Sequence, residues 1–423
     1  MISPSPRRRL LLFLAGGTGL QIGAFTEGNL LWTGAMIPMG AGYAEIGLAH
    51  LVTMLLMLLF TLPLGVLVDR VRRGTALAVT GGLAAGLLGS LALAIWLEAV
   101  TWPHLLLVTP AVMMVRGTGG LAQEAYLPAA VERDGLVPVN AVMLIVGSAG
   151  SFGVGFLLSG SPGVTAAAVG VAALGAAISA WLFGVIRAPE EPAPPRTGVW
   201  REAVEGVRFT LTHPVLRAIV VCLFGLTAMR EPIEEFAVTP LLAEGGELTR
   251  PEAVLSWLVY LATPIGAVLA VLLYRRVGTF RLAWAAVLVS QPFALLVLAG
   301  MDWGPIWYVL GRLVPWAGAA VVAVTLLSHR QAITPSRLLG RSGATLIITL
   351  VVAEVAGSSL EVLVESLLGQ QGPGDAGGWP VVVLATAAVL ACAVPMFRLR
   401  RLSHPAEAGP PSDAEASADE GAS

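Results

Sequence analysis

Nine charged residues interrupt stretches that are otherwise apolar: Glu27, Arg116, Arg230, Glu231, Glu234, Glu235, Arg312, Glu354 and Glu361. A charge surrounded by apolar sequence is costly, so each is a candidate for work on a solute or a proton. Six of the nine are carboxylates, which describes an acidic interior. Apolar surroundings favour the neutral form of a carboxylic acid, and a group so placed can load and release a proton near neutral pH. Glu354 or Glu27 is the expected carrier of such a proton, with Arg116 biasing its release. Glu354, Ser358, Glu361 and Glu365 follow offsets of 4, 7 and 11, which put them on one face of a helix. Arg230 and Glu234 stand at i,i+4, a spacing that suits a local ion pair as well as a cavity. Glu235, Glu361 and Glu365 have a second reading, in which they reach an aqueous interface.

Other chemistries lack their residues. The chain of 423 residues has 25 basic residues, all arginine, so reactions that need a lysine ammonium are excluded. The five histidines are scattered, with no His-x-x-x-His, and Cys222 and Cys392 lie in apolar runs with no ligand spacing. No nucleophile elbow is present; Gly16, Gly17, Gly19 and Gly23 fall inside an apolar run, where small residues serve helix packing rather than phosphates. No metal, cofactor or enzymatic activity is expected. The formal charge of -2 gives no basic field for nucleic acid.

The elements that must hold these charges are helices in a bilayer. Apolar residues make up 56% of the chain and charged ones only 12%. They gather in twelve runs near the roughly 20 residues that cross a hydrocarbon core: 10–33, 46–68, 75–97, 104–123, 139–159, 164–186, 216–240, 253–274, 281–300, 305–327, 342–366 and 380–397. The first follows Arg7, Arg8 and Arg9 without a small-residue cleavage pattern and reads as a retained span. With the N-terminus inside, 21 arginines fall in cytoplasmic segments, Arg250 alone falls on the other side, and three lie within spans. This bias places both termini in the cytoplasm of a cell (inner or plasma) membrane protein. The longest connection, 187–215, separates a six-helix bundle at 1–186 from another at 216–402. It opens with a proline-rich stretch and continues into an amphipathic helix with Trp200, Val204, Val207 and Leu211 on one side. The tail, 403–423, reads as disordered.

A weak repeat relates the halves. Gly65-Val-Leu-Val-Asp69-Arg70-Val-Arg72-Arg73-Gly74 follows the second span, and Tyr274-Arg275-Arg276-Val277-Gly278 follows the eighth. The first of these resembles the loop signature of the major facilitator superfamily, and Arg116-x-x-x-Gly120 resembles its buried-arginine motif. Gln123-Glu-Ala-Tyr-Leu127-Pro128 with Asn140, Glu205-Gly206-Val-Arg208-Phe209, His213-Pro214, and Pro335 with Gly340-Arg341 are similar to the branch of macrolide efflux and enterobactin export proteins. The resemblance implies twelve transmembrane helices in two six-helix bundles, with spans one, four, seven and ten around a central cavity. It also implies proton-coupled efflux of an amphiphilic small molecule by a monomer. Gly65, Asp69, Arg70, Arg73, Gly120, Gly150, Gly155 and Arg341 would then be gating or structural positions. In the fifth span Gly150 precedes Ser151 where the antiporter motif has proline, which leaves a facilitator or importer open as an alternative. A non-transporting membrane scaffold or receptor is the alternative from another class. The acidic interior suits a cationic cargo, and protonated carboxylates would also suit a neutral or zwitterionic one.

Overall fold

The computed structural model describes residues 10–20, 43–158, 162–185, 198–230, 232–233, 259–298, 305–368 and 379–399, and among these it is helical without strands. The first half comprises α1 (Leu10–Leu20), α2 (Tyr43–Arg70), α3 (Arg73–Trp96), α4 (Trp102–Ala130), α5 (Leu136–Leu158) and α6 (Pro162–Val185). The helix α7 (Val199–Thr212) follows in the connection. The second half comprises α8 (Pro214–Ala228), α9 (Ala262–Val277), α10 (Thr279–Ser290), α11 (Pro305–Ile333), α12 (Leu339–Leu368), α13 (Trp379–Cys392) and α14 (Val394–Arg398). Nine helices among the described residues are long and apolar enough to cross a bilayer. They match nine of the twelve expected spans; the first, fifth and seventh correspond to α1, α5 and α8. Glu27, Glu231 and Glu234 lie outside the described residues, as do Glu235 and the tail.

Large apolar side chains stand on the outer surface, with Leu107, Val289 and Leu384 each nearly 70% exposed (69%, 68% and 69%). Helices apolar on both their packed and outer faces are stable in lipid rather than water. This is a multi-pass membrane protein.

Each half has its own core. In the first, Phe13 stacks on Tyr126 at 5.5 Å and meets Phe183 edge-on at 5.9 Å, tying α1 to α4 and α6. In the second, Leu216, Ile219, Phe280, Val322, Val389 and Met396 bury one another. The halves meet along two seams, α2 against α12 and α5 against α9 and α11. At the first seam backbones touch: a Cβ on Gly65 would lie 2.5 Å from the Ala344 Cβ and 2.8 Å from the Gly340 carbonyl oxygen. Only glycine permits that approach. At the second, Val137 and Ala141 pack among Ala267, Ala270 and Val324.

The helix α7 bends by 89° into α8 and packs beneath α2 and α12. Its buried residues are Glu202, Ala203, Gly206 and Thr210, whereas Trp200 and Val204 are more than 60% exposed (61% and 64%). The apolar stripe therefore faces outward and a polar edge faces the protein. This reverses the usual soluble arrangement, because the ends of α2 and α12 present charges that need partners.

Candidate functional site

The arginine-rich end of the molecule is joined across both halves. The last turn of α2 carries Asp69, whose carboxylate accepts hydrogen bonds from the backbone N–H groups of Gly340 (2.9 Å) and Arg341 (3.1 Å). These are first-turn donors of α12 that have no partner within their own helix, and the positive end of the helix dipole adds to the attraction. Asp69 thus caps a helix of the opposite half. Arg341 donates through Nη2 to Glu202 (2.6 Å) and through Nη1 to Glu205 (2.8 Å), and its Nε stands 3.5 Å from Asp69. Arg70 holds the same Glu202 from the other side, at 2.7 and 3.2 Å. Arg73 donates to the Ser336 carbonyl. Glu202, on α7, therefore bridges an arginine of each half.

A second tie lies between α4, α5 and α11. Arg330, 2% exposed, pairs with Glu124 across the halves. Beside it, Asn140 Nδ2 donates to Ser328 Oγ (2.9 Å) and Gln331 Oε1 (2.8 Å), and Gln331 Nε2 donates to the Glu124 carbonyl (3.4 Å). A small cleft of about 160 Å³ bordered by Gly120, Gln123, Glu124 and Asn140 adjoins this pair. Tyr274 adds a third tie at the basic end, donating to the Asp134 carbonyl at 3.0 Å.

Within the second half, a cavity of about 260 Å³ lies between α8, α9, α11 and α13, with Leu144 of the first half at its edge. Arg230, Gln291, Arg312 and Trp316 line it among apolar groups. Arg312 Nη1 donates to the Tyr308 hydroxyl at 3.2 Å, and its guanidinium stands 5.7 Å from that ring's centroid.

The expected site residues thus fall into separate places. Gly65, Asp69, Arg70, Arg73 and Arg341 meet in the basic-end lock, and Arg230 and Arg312 share one cavity. Glu354 is elsewhere: with Ser358 it lines a cleft between α2 and α12 opposite His50 and Met54. Arg116 lies on α4, with its Nη1 3.9 Å from Met113 Sδ. Gly120 borders the cleft beside Glu124, and Gly150 and Gly155 lie within α5. Glu361 lies on α12, with its side chain outside the description, like Glu27, Glu231 and Glu234. Among the described residues, the charged groups that line the second-half cavity are Arg230 and Arg312, and four of the six expected carboxylates lie outside the described residues.

Sequence reasoning missed the Glu124–Arg330 pair. Glu124 lies inside the stretch Gln123–Pro128, and Arg330 at the end of a span reads as one of the cytoplasmic arginines. Glu202 and Glu205 stood out only as the polar side of an amphipathic helix.

No known sequence family matches the chain, and no curated protein matches it. Solved structures do. A bacterial homologue of the iron transporter ferroportin, in an outward-facing state, aligns with a TM-score of 0.75 at 16% identity over 93% of this chain and 99% of that one. The fucose:proton symporter FucP of E. coli aligns at 0.70 and 15% over 93% and 99%. The human organic anion transporter MFSD10 aligns at 0.65 and 15% over 93% and 100%. FucP is a major facilitator superfamily transporter, and these likenesses show that the chain has that fold.

Proposed function

We propose that the protein is a secondary transporter working by alternating access, and that it exports an amphiphilic small molecule in exchange for protons. It sits as a monomer in the cell membrane with its arginine-rich end and both termini in the cytoplasm. Residues 1–186 and 216–402 rock as two units about the central cavity, with 187–215 as the connection between them. The observation that carries this reading is the lock at the basic end. Asp69, Glu202 and Arg341 hold the two halves shut beneath a cavity, the arrangement of an outward-facing state. Opening inward requires those bonds to break while the opposite end closes. Glu354, at the seam between α2 and α12, is placed where rocking changes its surroundings, and we assign it the coupling proton.

The test is uptake into proteoliposomes under an imposed pH gradient, with rhodamine 6G, erythromycin, enterobactin and indole-3-acetate as probes. Gradient-driven movement of at least one, uncoupled from the gradient by Glu354→Gln, is the expected result. Movement that ignores the gradient would favour a facilitator, the reading that Ser151 supports. Movement of none, with a basic end that never opens, would leave a scaffold or receptor.

A further inference from the structure

We propose that α7 is an interfacial helix that seats on anionic phospholipid at the basic end of the molecule, with its apolar stripe among the acyl chains and two arginines at the headgroups. The seating goes beyond the transport reading and depends neither on the cargo nor on proton coupling.

Direction and depth both put α7 in the plane of the bilayer. It meets α8 at 89°, and α8 belongs to the spanning core of the second half, so α7 runs nearly parallel to the membrane. Its Glu202 is held by Arg70, the last residue of α2, and by Arg341 in the first turn of α12. The helix therefore lies at the level where the spans end and the headgroups begin. At 3.6 residues per turn, Trp200, Val204, Val207 and Leu211 share an arc of about 60°. Trp200, Val204 and Leu211 are exposed, while Glu202, Ala203, Gly206 and Thr210 on one flank of the stripe are buried against the protein. Left in water, such a stripe is a standing cost; at an interface its side chains enter the acyl boundary, and an indole favours the headgroup zone. Arg201 and Arg208 are exposed on the other flank, about 80° round from the stripe. Glu205 and Thr212, exposed as well, lie further round in the same direction. The order around the helix is thus protein, lipid, arginine and water, the cross-section of a helix half-sunk in an interface. Arg217, exposed in the first turn of α8, adds a third positive charge at this level. Arginines so placed are attracted by the negative surface potential of anionic lipid, which favours it over a zwitterionic surface.

The test reads which lipid touches the stripe. Full-length protein carrying Cys222→Ala, Cys392→Ala and Val204→Cys is labelled with the fluorophore NBD and placed in mixed nanodiscs of phosphatidylcholine and phosphatidylglycerol. One lipid or the other carries a doxyl quencher, at the same low mole fraction. Doxyl-phosphatidylglycerol is expected to occupy the site about fivefold more readily than doxyl-phosphatidylcholine, the effect of one arginine near an anionic surface. Arg201→Gln with Arg208→Gln should bring the two lipids toward parity, and about 1 M sodium chloride should do the same by screening. The label at Thr212→Cys should be quenched by aqueous iodide more than by either lipid. Should the double arginine variant fail to fold, the salt dependence of the arginine-bearing protein decides. Equal quenching of the Val204→Cys label by both lipids would overturn the anionic preference, and quenching by iodide alone would put the stripe in water and overturn the seating. Protection from iodide and from both lipids would mean that protein covers the stripe, another segment of this chain or a second copy, and would overturn it too. The readout needs no transport, so its failure leaves the transport reading standing, and absent transport leaves the seating standing.

Discussion

Neutralising Glu202 should open the basic end of the protein. Its carboxylate is 2% exposed and is gripped by Arg70 and Arg341, which are 17% and 4% exposed. Removing one partner of a buried pair costs about 3–5 kcal/mol when the other charge is left alone. Arg341 would keep Glu205 at 2.8 Å and Asp69 at 3.5 Å, and Arg70 can turn toward water. The cost should accordingly be lower, about 2 kcal/mol. These bonds cross between halves, so the cost falls on the closed state alone and shifts the closed-to-open ratio by about 30-fold. Spin labels at Val71→Cys and Arg337→Cys, both exposed, would flank the lock in a background carrying Cys222→Ala and Cys392→Ala. Double electron–electron resonance should then show a longer distance emerging in Glu202→Gln. Glu205 is 47% exposed, so Glu205→Gln should cost under about 1 kcal/mol and change the distribution little. Gly65→Val should produce the same opening with every charge in place, because its Cβ would meet Ala344 and the Gly340 backbone. Equal distributions for the two glutamate variants, or an unmoved one for Gly65→Val, would refute the reasoning.

Three further outcomes follow from the geometry. Glu124→Gln leaves Arg330, 2% exposed, as a buried charge without its partner, and should lower stability by about 3–5 kcal/mol. Adding Arg330→Met should recover most of that in thermal unfolding; no recovery would mean that the pair is not a unit. His213 caps α8, its Nδ1 accepting from the Leu216 N–H at 3.4 Å, and burial lowers its pKa from the ordinary imidazole range. The unfolded chain therefore binds more protons, so stability should be full above about pH 6.5 and fall as pH drops from there toward the depressed folded value. His213→Ser, which keeps an acceptor, should flatten that dependence, and an unchanged slope would exclude His213 as its source. Phe13→Ala removes the ring packed between Tyr126 and Phe183 and should cost about 3–5 kcal/mol in thermal unfolding, while the spin-label distance across the lock stays the same.

Much of this architecture was legible in the residues themselves. Runs near bilayer length place nine described spans where the structure has them, and the signature around Gly65, Asp69 and Arg70 singles out the end of α2, where Asp69 meets α12. Both signals are local: one is the length of an apolar run, the other the spacing within a turn. The pairings were not legible. Asp69 finds its partners 271 and 272 positions away, Arg70 finds Glu202 at 132, and Glu124 finds Arg330 at 206. Nor could the sequence say that Glu354 belongs to the seam with His50 or that Arg230 and Arg312 share a cavity. In water, apolar periodicity tells which face of a helix turns inward. In lipid, the surroundings are as apolar as leucine, and that signal disappears. Even α7, with a clear apolar stripe, turns its charged edge inward because Arg70 and Arg341 wait there. Composition and run length determined that this chain crosses a membrane many times and which end is basic. Only the tertiary structure decided which charges face one another, since in a bilayer the rotation of each helix is set by its few polar contacts and its closest-packed small residues.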